Sequence, residues 1–93
     1  MPLQQPLLPD AASAVIRKVL RSGTVYFSEH GLEEMDDDGI LQPDVVQTLV
    51  RGRVSEAYFR DGSWRHRVAR GGVEVVVAIE SDERLVVVTA WKR

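Results

Sequence analysis

The sequence predicts an α+β fold, with N-terminal helices packed on one face of a C-terminal antiparallel β-sheet. Three observations lead there. Apolar residues recur every three or four positions before Gly52 and every second position after it, the periods of a helix and of a strand. The second half is punctuated by Asp61-Gly62 and Gly71-Gly72, dipeptides that favour the positive φ angles of tight hairpin turns. The chain has 93 residues; a domain of that size buries roughly 60 to 65% of its unfolded surface, enough for one core and no second lobe.

Residues 1–9, MPLQQPLLP, hold three prolines and only short apolar pairs, so they read as a flexible arm ahead of a single domain over 10–93. The arm lacks the basic start of a signal peptide, and no later apolar run approaches the roughly 20 residues of a membrane helix. With no cysteine there are no disulfides, thiolate nucleophiles or thiolate metal sites, which suits a reducing compartment. A soluble cytoplasmic protein is expected.

Over 10–21, Ala11, Ala14, Val15, Val19 and Leu20 recur at helical spacing, with Asp10 as cap and Gly23 as stop. A β-branched and aromatic run over 24–27 reads as a short strand. Ser28 then caps a second helix to about Asp38, with Leu32 and Met35 inward and Gly39 ending it. Pro43 in a first turn and Gly52 just past the end frame a third helix that buries Val45, Val46, Leu49 and Val50. Four strands follow, over about 53–60, 64–70, 73–80 and 85–92.

Two-residue turns fix register. With Gly71-Gly72 as the turn, Val68 faces Val75, His66 faces Val77, Arg65 faces Ala78 and Trp64 faces Ile79. One face then carries Trp64, His66, Val68, Val75, Val77 and Ile79, joined by Phe59, and is the core face. The other carries Arg65 and Arg67, with Tyr58 beside Arg65 and Glu56 beside Arg67; a four-residue loop over 81–84 adds Thr89 and Trp91. Antiparallel sheets commonly leave one face wet.

Charge is unevenly spread. Six acids and no Lys or Arg lie between Glu29 and Asp38, whereas six arginines stand against Glu56 and Asp61 between Arg51 and Arg70. The molecule should have two electrostatic sides. A formal charge of −2 argues against a general nucleic-acid coat. The arginine face nonetheless suits a phosphodiester backbone with stackable bases, because stacking on an aromatic contributes about 1 to 3 kcal/mol per base. The plainer alternative is that Glu56 and Arg67 form an ordinary cross-strand ion pair worth roughly 0.2 to 1 kcal/mol. The acidic helix faces either a basic partner or simply water.

The stretch AVIRKVLRSGTVYFSEHGLEEMDDDGILQPDVVQTLVRGRV resembles the opening of the domain-of-unknown-function family DUF4258: helix, short strand, Ser-x-His, a helix ending in Gly-Ile, then an Asp-Val helix ending in Gly. VEVVVAIESDERLVVVTAWKR resembles its closing hairpin, with an aromatic at Trp91. The resemblance implies kinship with RelE-like and MqsR-like bacterial toxins, whose helices pack against an antiparallel sheet and which cleave messenger RNA. It implies a toxin of a type II toxin–antitoxin pair, an mRNA interferase. The implied partners are a DNA-binding antitoxin and an RNA substrate, with the ribosome as a further candidate. By the same resemblance Arg65 and Lys92 fall near positions that carry polar active-site groups. Family members often carry arginines on the helix after the histidine, where this chain has Glu34 and Asp38, and Gly31 stands where alanine is usual.

Metal-free RNA cleavage uses the adjacent 2′-hydroxyl as nucleophile. It needs a base for that proton, cations for the crowded phosphorane and an acid for the leaving 5′-oxygen. Arg65 and Arg67 suit the cationic role, since guanidinium forks match phosphate oxygens and stay charged. Glu56 is the conventional candidate base, Tyr58 an acid or a positioning group, and Lys92 an added charge near the chain end. His30 matches the histidine of the resemblance and is either catalytic or locally hydrogen-bonded. Arg60, Thr89 and Trp91 are candidate substrate contacts, Trp91 being open between edge packing and base stacking. His66 points to the core face and reads as a satisfied, partly buried histidine.

No cofactor or metal is expected. Two histidines without cysteine or a carboxylate at ligand spacing do not make a zinc site, and DDDG lacks the alternating ligands of a calcium loop. Two other functions stay open: a non-catalytic protein-binding module using the exposed sheet face or an edge strand, and a degenerate toxin acting as a regulator.

Overall fold

The computed structural model describes residues 3–93 and is α+β. Three helices, α1 (Pro9–Ser22), α2 (Glu29–Asp38) and α3 (Gln42–Arg51), precede most of a six-stranded sheet. Its strands are β1 (Thr24–Phe27), β2 (Arg53–Val54), β3 (Tyr58–Arg60), β4 (Ser63–Arg70), β5 (Val73–Ser81) and β6 (Arg84–Lys92). The sheet order is β1-β6-β5-β4-β2, with β3 paired to β4 beside this path. The meander is antiparallel as expected, but the sheet is mixed, because β1 runs parallel to β6 from Thr24↔Arg84 to Phe27↔Val87.

Helix α1 starts at Pro9 with Leu8 as N-cap, so Asp10 sits in the first turn and does not cap. Its buried face is Ala12, Ile16 and Val19. Of the expected stripe, Val19 is buried and Val15 and Leu20 pack against the core, but Ala11 and Ala14 are turned to solvent, since rotating the helix to bury Ile16 removes more apolar surface from water. Gly23 lets the chain pass the β5–β6 turn: a Cβ there would lie 2.3 Å from the Glu83 carbonyl oxygen.

Ser28 caps α2 as expected, its Oγ accepting from Gly31 N at 2.9 Å. The same hydroxyl donates to the Val88 carbonyl at 2.9 Å, which ties the helix start to β6. Helix α2 packs along β6 beyond the end of β1, while α1 and α3 pack on each other and α3 lies on β4 and β5. Gly31 permits that seat, because a Cβ would come within 2.9 Å of the Val87 oxygen. Met35 is buried, whereas Leu32 is exposed. In α3, Val45 and Leu49 are buried and Val46 is exposed.

The expected strand over 53–60 is broken. Strand β2 pairs Val54 with Val68, and β3 pairs Tyr58 with Arg65, registers that differ by one residue. Residues 55–57 absorb the extra residue as an irregular segment, held by Ser55 N donating to Arg67 O at 2.9 Å. The β4–β5 register is as expected from His66↔Val77 to Arg70↔Val73. The ladder stops there, so the expected pairings of Arg65 with Ala78 and Trp64 with Ile79 do not form. The start of β4 instead leaves with β3 as a separate hairpin. Phe59 rides on that hairpin, 59% exposed, and stacks edge-to-face on Trp64 at 5.3 Å instead of joining the core.

Ile79 O accepts from Gln5 Nε2 at 2.9 Å, and Leu3 and Leu7 pack against the core. The segment expected as a loose arm thus makes specific contacts over residues 3–8; its first two residues lie outside the described ones. The β5–β6 turn is Asp82-Glu83, two residues and not four, and register shifts at Ile79/Ser81 and Val76/Val77 bring Thr89 opposite Val76 and Trp91 opposite Glu74. Thr89 and Trp91 therefore reach the expected face.

The core gathers Ile16, Val19, Val45 and Leu49 from the helices against Val68, Val75, Val77, Ile79, Leu85 and Val87. His66 joins them at 0% exposure, and among the described residues neither ring nitrogen has a hydrogen-bond partner. It is therefore more deeply buried than expected, and unsatisfied. Burial pushes its pKa down, so the ring is neutral. Among the described residues no helix is long and apolar enough to cross a membrane.

Candidate nucleic-acid interface

Alternation along β4 turns His66 and Val68 inward and Arg65 and Arg67 outward. Both arginines line one groove of about 450 Å³ on the sheet face away from the core. Val76, Val88 and Thr89 also line it. His30, from the first turn of α2, lines it as well, as do Tyr58, Arg60 and Asp61 from the β3–β4 hairpin, and Trp91.

The two arginines are held differently. The Arg65 side chain is 17% exposed, with Nε 3.4 Å from Ser63 Oγ and a terminal nitrogen 3.9 Å from Asp61. Arg67 is 46% exposed and lies over the Trp91 ring, 5.4 Å from its centroid, while its Nε is 4.0 Å from Glu74. Trp91 thus already carries a cation on its ring. Asp61 also lies 3.8 Å from Arg60; its side chain is 76% exposed in the hairpin turn, so both contacts are solvent-screened.

Glu74 was not foreseen as a site residue. Its side chain is only 6% exposed although it lies on the arginine face, opposite Trp91. It accepts from Arg93 Nε at 2.8 Å. That bond, reinforced by the charges of Arg93 and Arg67, holds its carboxyl below the usual carboxylate range despite burial. The signal that could have found it is register: a Gly71-Gly72 turn puts Glu74 opposite Ala69, on this face.

Two candidates stand apart. Glu56 lies exposed in the irregular segment 55–57 and does not line the groove; the extra residue there removes it from Arg67, whose acidic neighbour is Glu74. The expected Glu56–Arg67 pair is therefore absent. Lys92 follows Trp91 in β6, opposite Val73, so alternation turns it from the groove, and its backbone N–H donates to Asp38 at 2.8 Å. Neither residue is placed to act with Arg65 and Arg67.

Helix α2 supplies more than His30. Glu34 Oε1 stands 3.8 Å from His30 Nε2, one helical turn away. Glu34 and Asp38 therefore both have local tasks, Glu34 beside His30 and Asp38 on the end of β6. The other acids of the helix, Glu29, Glu33, Asp36 and Asp37, are exposed to solvent.

The groove thus brings together three guanidinium groups, an imidazole beside a carboxylate, a phenol and an indole. Such a set binds a polyanion and has groups able to accept and donate a proton. A family model described as Domain of unknown function (DUF4258) matches residues 27–92, a span that contains every groove residue. No curated protein and no solved structure matches the chain.

Proposed function

The chain belongs to the DUF4258 family, and from that premise we propose that it is a metal-independent endoribonuclease that cleaves single-stranded messenger RNA, acting as the toxin of a toxin–antitoxin pair in the cytoplasm. The observation that carries this reading is the convergence of His30, Tyr58, Arg60, Arg65, Arg67 and Trp91 on one groove. The kinship with RelE-like and MqsR-like toxins belongs to the same proposal.

In this reading Arg65 and Arg67 straddle the scissile phosphate. His30, with Glu34 beside it, removes the proton of the 2′-hydroxyl. The new bond joins the 2′-oxygen to phosphorus, and the two guanidinium groups stabilise the charge that gathers on the non-bridging oxygens. The bond from phosphorus to the 5′-oxygen then breaks, and Tyr58 supplies the proton that the leaving oxygen takes. The products are a 2′,3′-cyclic phosphate and a 5′-hydroxyl. The antitoxin would cover the arginine face with acidic side chains while the toxin is stored.

Product analysis tests the chemistry. Purified protein incubated with single-stranded RNA should leave ends of those two kinds, and His30→Ala should lower the rate by about 10²- to 10⁴-fold, the usual range for a general base. RNA that is bound and left intact would support a binding module instead. RNA neither bound nor cleaved would remove the proposal altogether.

A further inference from the structure

Arg67 stands between two depressions on the same sheet face. Beyond it, toward the Gly71-Gly72 turn, lies a hollow of about 490 Å³ lined by Arg53, Arg67, Arg70 and Arg93, with Glu74 as the one acidic side chain in its wall among the described residues. Glu74 is already engaged by Arg93 at 2.8 Å. Arg53 and Arg70 are exposed and lie within 4.0 Å of no carboxylate among the described residues. Arg53, level with Ala69, stands on the arginine face, whereas Arg70, opposite Val73 at the last step of the β4–β5 ladder, has the parity of the core face and borders the hollow at its rim by the turn.

The spacing is regular. Arg65 and Arg67 are two residues apart on β4, and Arg53 pairs with Ala69, two residues further on. Each step along the strand is therefore about 6.6 Å, and cations stand at three successive levels of one sheet face. The turn at the far end is bare: a Cβ on Gly71 or Gly72 would meet nothing within 4 Å, so a ligand's backbone can approach the peptide there.

We infer that this hollow is a second phosphate subsite, in which Arg53 and Arg70 hold the phosphodiester next to the one between Arg65 and Arg67. The inference rests on the nuclease reading and narrows its substrate to an extended single strand with at least two consecutive phosphodiesters. Arg67, between the two levels, is shared. A dinucleotide fills one subsite only.

Binding of 2′-O-methyl diuridylate and 2′-O-methyl hexauridylate, which cannot undergo the cleavage, tests this through quenching of tryptophan fluorescence. Arg53→Ala with Arg70→Ala should lower the hexamer-to-dinucleotide affinity ratio about tenfold and flatten the salt dependence of hexamer binding by roughly 0.7 for each lost phosphate contact. Arg53→Lys with Arg70→Lys should restore most of the ratio, because ammonium groups also bind phosphate as point charges. An unchanged ratio and slope, with parent protein binding the hexamer, would overturn the subsite and leave the nuclease reading standing. An equal loss for both ligands would overturn it too, as would failure of the lysine variant to recover. A parent that binds neither ligand would overturn the subsite and the nuclease reading together.

Discussion

His66 should be a net cost to the fold, and its removal should stabilise the protein. The side chain is 0% exposed among valines and leucines, with both ring nitrogens unpartnered among the described residues. A neutral imidazole has one donor and one acceptor. Leaving a buried polar group unsatisfied costs about 1 to 3 kcal/mol, and a hydrophobic swap of similar size usually costs less than about 1.5 kcal/mol in repacking. His66→Leu should therefore raise stability by roughly 1 kcal/mol, or about 4 to 8 °C in Tm for a domain of this length. The pH dependence is a sharper signature. Burial lowers the folded-state pKa below the ordinary histidine value of 6.5, so the unfolded chain binds the proton more readily. Stability is then fully present above that value and is lost as pH falls from it toward the folded pKa, by at most about 1.4 kcal/mol per pH unit. Glu74 and Asp82, whose pKa values are also lowered from 4.5 and 3.8, contribute stability that fades only as pH falls below those values. Urea unfolding at about pH 7.5 and about pH 5.5 thus isolates the histidine. The parent should lose stability between the two, and His66→Leu should lose less. A parent with no such loss, or a leucine variant weaker than the parent by about 2 kcal/mol, would show the ring to be satisfied.

Further tests follow from local geometry. Gly23→Ala would drive a methyl into the Glu83 carbonyl at 2.3 Å, so it should destabilise the fold, by about 1 to 3 kcal/mol in urea titration. Ser28→Ala removes both the cap on Gly31 and the bond to Val88, and should cost roughly 1 to 2 kcal/mol in the same assay. RNA cleavage should persist in excess chelator, because the proposed proton transfers use side chains alone; its loss, restored by a divalent cation, would contradict that route.

The turn dipeptides carried most of the legible structure. Gly71-Gly72 set the pairing of His66, Arg67 and Val68 with Val77, Val76 and Val75 correctly, because a two-residue turn leaves little freedom of register; the pairs expected further out, Arg65 with Ala78 and Trp64 with Ile79, did not form. That is why Arg65 and Arg67 were readable as one outward pair. The sequence was silent where the backbone departs from regular pairing. The extra residue over 55–57 moved Glu56 away, and the parting of β3–β4 from β5 exposed Phe59. No residue type announces either event. The face of α1 was ambiguous because alanines flank both possible stripes, and only the volume of Ile16 decides between them. His30 was legible by its place after a capping serine, but its meeting with Tyr58 and Trp91 depends on α2 lying along β6, which a one-dimensional pattern does not encode.

The most direct measurement is the salt dependence of single-stranded RNA affinity for the parent and for Arg65→Ala with Arg67→Ala. The parent should bind with a steep negative slope, and the double variant should lose affinity and about 0.7 of slope for each phosphate contact removed. Equal affinity and equal slope in the two proteins, or parental binding indifferent to salt, would mean that Arg65 and Arg67 do not hold a phosphodiester.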